Sequence, residues 1–213
     1  TQGQKDSIIK LLDGYNIASV RPTIVDPETT NIRLNTSIKF DTKSTTKTAT
    51  TIETDVTNVI TNYNTSDLEQ FDGIFRFSKL SRLIDNADSS ILSNITTLKF
   101  EKTITPVLNT PSQYILDFSN ALYNPHSGHN SAMGGIVEST GFTISGNSNT
   151  LFLDDDGAGN IRTYYVVGGT TRTYVNSTAG TIDYSNGLIT IPSLTITGTS
   201  NSNGTVQLVT QPK

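Results

Sequence analysis

From Asn31 to Phe40 the chain alternates without a break. Ile32, Leu34, Thr36, Ile38 and Phe40 fall on one side, Asn31, Arg33, Asn35, Ser37 and Lys39 on the other. Successive side chains of a strand point to opposite faces, so the pattern predicts a strand with one face on a core and one in water. A sheet built on it needs a cover on one side only. Residues 48–63 can supply it, because Ile52, Val56, Val59, Ile60 and Tyr63 recur at the spacing of a single helical stripe. The threonine-rich outer side of that helix has weak intrinsic propensity, so packing has to hold it.

The flanking segments extend this unit. Lys5 to Leu12 predicts a short helix with Ile8, Leu11 and Leu12 on one face, closed by Gly14 as a left-handed cap. Ile17 to Val25 predicts a strand, and Pro22 inside it, unable to donate to a ladder, marks an edge or a bulge. Ser66-Asp-Leu-Glu69 has the form of a capping box opening a short turn that ends near Gly73, and Ser78 is placed to cap a helix carrying Leu80, Leu83, Ile84 and Ala87. Ile91 to Ile104 predicts a third strand with Leu98 and Phe100 inward and Lys99 and Glu101 outward. Helix, two strands, two helices and a strand make an α+β unit: an antiparallel three-stranded sheet with helices on one face.

The chemistry of the chain changes at Pro106. Of the Asp, Glu, Lys and Arg residues, 25 lie in 1–106 and 9 in 107–213, while glycine rises from 3 to 13. With Pro106 and Pro111 in the polar stretch Thr105 to Ser112, this predicts a linker between an α+β domain, 1–106, and an all-β domain, 107–213. In the second part the period is two throughout. Strands are predicted at 114–118, 141–145, 150–153, 161–167, 171–175, 181–184, 188–191, 194–197 and 205–209, and Asn186-Gly187 between Tyr184 and Leu188 is the strongest hairpin signal in the chain. The expected architecture is an antiparallel sandwich or barrel.

Composition excludes several kinds of function. A net charge of -4 offers no general attraction to nucleic acid or to anionic membranes, and no apolar run is long enough to span a bilayer as a helix. Without cysteine there is no disulfide, thiolate nucleophile or cysteine zinc site. The chain begins at Thr1 and enters a helical pattern almost at once, as expected of a fragment of a longer polypeptide.

The candidate chemistry is thin. Asp154-Asp155-Asp156-Gly157 resembles the start of a calcium loop, but with Gly157 as the obligatory glycine, Phe152 would occupy the first ligand position and Thr163 the closing one, so the segment Asp154 to Asn160 reads as a hairpin turn. His126 and His129 lie three apart with no carboxylate or cysteine near them in sequence, a poor metal set and no triad, and are expected to make loop contacts. Asp85 and Asp88 flank a helix end and its following turn, where aspartate is ordinary. Gly134-Gly135 and Gly168-Gly169 open no helix and so cradle no phosphate. Asn-x-Ser/Thr triplets at Asn35, Asn64, Asn94, Asn176 and Asn203 follow from an Asn- and Thr-rich composition. No catalytic, cofactor-binding or metal residue is assigned, and an enzyme is not expected. A competing reading is a carbohydrate- or surface-binding module, for which Tyr164, Tyr165 and Tyr174 are the available aromatic platform.

The wording from Ala18-Ser-Val-Arg-Pro-Thr-Ile-Val-Asp-Pro27 through Ile32 to Phe40, Phe77-Ser-Lys-Leu80, Leu83-Ile84-Asp85 and Asp88-Ser-Ser-Ile-Leu-Ser-Asn-Ile95 resembles the large baseplate wedge subunits of contractile-tailed bacteriophages, relatives of the baseplate J-like proteins. Leu122 to His126, Phe152 to Gly157 and Gly180 to Gly187 resemble them more loosely. The resemblance implies a structural subunit of the virion tail baseplate, assembled in the host cytoplasm. Such a subunit pairs with sister copies as a homodimer within the ring around the tail hub and joins other wedge proteins. It also implies a longer polypeptide, whose N-terminal part would carry helical contacts to other wedge components.

Overall fold

The computed structural model describes residues 2–15, 23–24, 29–70, 73–129 and 134–213. The strand expected over 17–25 falls almost wholly outside them. Contacts divide the chain into Thr1–Thr30 and Asn31–Lys213. In the first unit, α1 runs Gln2–Asp13 and ends in a turn in which Tyr15 N–H donates to Leu12 O. Gly14 is not among the residues with positive φ, so the expected left-handed cap is not formed. Ile8, Leu11 and Leu12 are exposed.

The second unit begins with β1 (Asn31–Phe40), whose inward residues alternate with exposed ones at every position, as the sequence dictates. It pairs antiparallel with β2 (Ile91–Ile104), so that Leu34 faces Leu98 and Ile32 faces Phe100. Between them run α2 (Ala49–Tyr63) and α3 (Phe77–Asp85). Thr48 caps α2 by accepting from Thr51 N–H, and the outer threonines 54, 57 and 61 donate back to the carbonyls four residues earlier, which leaves their hydroxyls satisfied on a helix of poor propensity. Val56, Tyr63, Leu80 and Ile84 then pack on Leu34, Ile38 and Ile91. Each buried aliphatic side chain contributes about 1.5–3 kcal/mol.

Polar contacts fix the helices over the sheet. Lys47 bridges Asp55 on α2 and Asp88 in the α3–β2 turn, 2.7 Å to each. The Lys47 bond and the Ser90 donors hold the Asp88 carboxyl well below the usual carboxylate range. Inward-facing Asn94 donates to Asp85 Oδ1 (2.7 Å) and Ser81 O (3.1 Å) on α3.

Two local expectations are corrected here. The capping box at Ser66–Glu69 does not form, because α2 continues through a π turn, Asn64–Leu68. Ser66 therefore stands inside helical structure, and Glu69 accepts from Asn64 Nδ2 instead. Ser78 does not cap α3, which starts after Arg76. The Arg76 N–H is taken up by the Tyr63 hydroxyl at 2.8 Å, a cap supplied by the neighbouring helix.

After Pro106 the strands are β3 (Ser112–Asp117), β4 (Glu138–Ser139), β5 (Phe142–Ile144), β6 (Asn147–Asp155), β7 (Asn160–Val167), β8 (Thr171–Asp183), β9 (Leu188–Leu194), β10 (Ile196–Thr199) and β11 (Val206–Thr210). The segments expected as two strands at 171–175 and 181–184 form the single bulged β8, and β4 lacked a sequence signal. The turn between β8 and β9 spans four residues, 184–187, rather than Asn186-Gly187 alone, because the Asp183 carboxylate gathers Ser185 N–H, Asn186 N–H and Asn186 Nδ2. Gly187 is required there: it has φ +71°, and a side chain would run into Asn120 O.

Seven strands form one sheet in the order β10-β5-β6-β7-β8-β9-β3, all antiparallel. Only Thr195 separates β9 from β10, yet β10 lies at one end of that order and β9 next to the other, so the sheet curls upon itself. Its interior is filled by Phe118, Phe142, Leu151, Leu153, Ile161 and Ile189, all fully buried. The fold is thus mixed helix and sheet, with three α-helices and eleven strands among the described residues.

The composition step at Pro106 does not interrupt the packing. The final strand β11 returns to pair with β2, Val206 opposite Ile104 and Thr210 opposite Phe100, in a four-stranded sheet ordered β1-β2-β11-β4. Phe100, Ile104, Ile32 and Leu98 belong to the same apolar cluster as the interior of the curled sheet. One face of the β1–β2 pair is therefore covered in part by helices and in part by the β-rich segment.

Candidate functional site

The sequence singled out three consecutive aspartates, and the structure gives each a different task. Asp154, at the end of β6, is 1% exposed and lies opposite Arg162 of β7 in strand register. Its carboxylate takes Arg162 Nε at 2.9 Å and Nη2 at 3.2 Å, Arg172 Nη1 at 2.7 Å and the Tyr174 hydroxyl at 2.9 Å. Each guanidinium in turn lies over one ring, Arg162 4.2 Å from the Tyr174 ring centre and Arg172 4.5 Å from that of Tyr164. One buried carboxylate between two stacked cations satisfies the condition under which a buried charge is tolerated.

Asp155 faces the other way and pins the segment after Gly134. It accepts from Ile136 N–H (2.6 Å), Val137 N–H (2.8 Å), Gly157 N–H (3.2 Å) and the Tyr184 hydroxyl (2.6 Å). Burial and the bond to this carboxylate hold the Tyr184 phenol well above its usual range. Gly134 and Gly135 serve close approach, since a side chain would run into the Arg172 guanidinium at the first and the Asp155 carboxylate at the second. Only Asp156 makes the expected turn, accepting from Ala158 N–H, Asn160 N–H and Asn160 Nδ2. All three carboxylates are engaged by protein donors, in structural bonds within the turn and the strands around it.

Of the tyrosines named for a sugar platform, two are spent in the same network and the third in the core. Tyr164 is buried beneath Arg172, Tyr174 donates to Asp154, and Tyr165 packs on the core. Gly168 and Gly169, with φ +62° and +82°, form the tip of the β7–β8 hairpin. Asp85 and Asp88 are the structural acceptors described above.

His126 and His129 do meet. Their facing nitrogens, His126 Nε2 and His129 Nδ1, are 3.3 Å apart, and Tyr123 packs its ring against His129 at 5.6 Å. Beside His126 opens a cleft of about 430 Å³ bounded by Asn124, Ser127, the Gly157 turn and Tyr184. Sequence spacing left this pair as loop contacts, because the turn that brings the imidazoles together depends on a bond from Gly128 N–H to Gly157 O, almost thirty residues away.

The open surfaces are apolar in places. On β2, Leu92 is 63% and Ile95 72% exposed, on the side of the β1–β2 pair away from the helices or at its bulge.

Comparison with known proteins bears on the α+β part. A family model described as baseplate structural protein gp6, C-terminal domain III, matches residues 28–103. The chain is 26% identical over 111 residues to the baseplate wedge protein gp6 of Enterobacteria phage T4, an alignment covering 52% of this chain and 17% of that protein. The chain thus spans less than a fifth of the length of this relative. Residues 28–103 contain β1, α2, α3 and nearly all of β2. The similarity over residues 28–103 is thus to a domain of a baseplate structural protein, and over about half of the chain to a baseplate wedge protein.

Proposed function

We propose that this chain is a structural part of a baseplate wedge subunit of a contractile phage tail, of the baseplate J-like kind. In this reading it helps form the ring around the tail hub through contacts with sister copies and with other wedge proteins, and binds neither nucleic acid nor membrane. The observation that carries it is the match over residues 28–103, which coincides with the helix-covered β1–β2 pair. The exposed Leu92 and Ile95 on that pair support an assembly role, because apolar side chains beside an open sheet face are commonly found where proteins meet. The α+β segment up to Pro106 and the all-β segment after it are read as two functional parts.

The engagement of the buried acids in structural bonds argues against catalysis, and the engagement of Tyr164 and Tyr174 argues against a sugar platform. Sedimentation equilibrium of the chain tests self-association. A symmetric dimer at micromolar concentration is expected, burying on the order of 1,000 Å² or more. A strict monomer at high concentration that binds a glycan specifically would favour the binding-module reading.

A further inference from the structure

We propose that His126 and His129 form a binding site for a divalent transition-metal ion of the zinc, nickel and copper class. Two nitrogens that share a tetrahedral ion at about 2.0–2.1 Å each must lie close to 3.3 Å apart, and His126 Nε2 and His129 Nδ1 have that separation. The rings meet at 86°, with centres 4.9 Å apart. His126 Nδ1 lies 3.2 Å from Ser127 O. A carbonyl can only accept, so Nδ1 carries the proton and Nε2 turns its lone pair toward His129, the tautomer a metal-bound imidazole adopts when its other nitrogen is held by a carbonyl. On His129 the nitrogen facing this lone pair is Nδ1. A proton on it makes a long hydrogen bond; in the other neutral tautomer, with that proton on Nε2, His129 Nδ1 presents a second lone pair and the two nitrogens become a ligand pair.

The pair is held in place before any ion arrives. His129 N–H closes a turn onto His126 O at 3.1 Å, and Gly128 N–H donates to Gly157 O at 2.8 Å. Gly157, with φ +70°, lies so close that a side chain there would run into the His129 backbone. The Gly157 turn is itself fixed by Asp155 and Asp156. Asp155 and Asp156 thus act as the footing of the histidine loop, and the site is pre-organised in the manner a metal centre needs.

A further donor lines the same cleft. Asn124 uses Nδ2 on Gly157 O at 3.2 Å, but its Oδ1 is buried with no hydrogen-bond partner, which calls for an explanation. Among the described residues no three of His, Cys, Asp and Glu come together. The two imidazoles are therefore the nitrogen ligands, and water from the cleft beside His126 completes the sphere. Hard calcium and magnesium, which require several oxygens, are not taken.

Isothermal titration of the untagged chain with zinc and nickel chlorides tests this, beside His126→Ala, His129→Ala and the double variant, each checked by circular dichroism. One ion per chain at micromolar affinity is expected, weakened at least tenfold by either single change, with no heat from calcium or magnesium. Copper added to the wild type should show nitrogen coupling in its electron paramagnetic resonance spectrum. The proposal is overturned if the wild type takes up neither zinc nor nickel, or if the double variant binds them undiminished.

Discussion

Phe100 of β2 stacks on Phe118, just after β3, with ring centres 6.4 Å apart and planes 19° from parallel. The two rings stand on opposite sides of Pro106 in sequence and in one core in space. Phe118 is fully buried, so Phe118→Ala should lower stability by about 3–5 kcal/mol. The loss should appear in a single urea transition of Asn31–Lys213, followed by both helical and β-sheet signals. Separate transitions for helix and sheet would contradict the shared core.

The stretch Thr105 to Pro111 is largely exposed, with Val107 and Leu108 open to solvent. Limited proteolysis should cut there first. The fragments should nevertheless elute together, because β11 remains paired with β2. Fragments that separate without denaturant would show that the pairing is too weak to join the two parts.

Asp154→Ala leaves Arg162 and Arg172 without their common counter-charge in a buried setting. Breaking a buried pair in this way costs about 3–5 kcal/mol. Asp183→Ala, at an exposed turn, should cost far less. Comparable shifts of the denaturation midpoint for the two variants would refute the assigned role of Asp154.

Burial and the Asp155 bond raise the Tyr184 phenol. Burial together with the bond to Asp154 raises Tyr174, and burial raises Tyr164. In the unfolded chain each phenol ionises near its ordinary value of about 10. The folded state thus keeps protons that the unfolded state gives up, and the stability from these groups is full below that value and lost as pH rises from it through the raised folded values. Of the eight tyrosines, Tyr164, Tyr174 and Tyr184 should ionise in an alkaline absorbance titration only as circular dichroism collapses. Normal ionisation of all eight in the folded protein would contradict the buried network.

The sequence was most legible where a single period governs a whole element. The alternation of β1 and the apolar stripe of α2 depend on local spacing and survive intact in the fold. Ser66 and Ser78 misled because a cap depends on where the previous helix stops, and α2 runs on through its π turn to bring Tyr63 to Arg76. Asp154 and Asp155 read as turn residues because their partners are set by strand register. Arg162 lies directly across from Asp154, but nothing local announces that pairing. The same holds for the return of β11 to β2, which joins segments a hundred residues apart, and for the meeting of the two histidines over the Gly157 turn.

In the proposed role this chain is a built-in part of a phage tail baseplate. Quantitative mass spectrometry of baseplates stripped from purified virions tests it most directly. Peptides of this chain should be recovered in fixed ratio to the other wedge proteins and be depleted from the head fraction. Their absence from the baseplates, or recovery with the heads, would contradict this role.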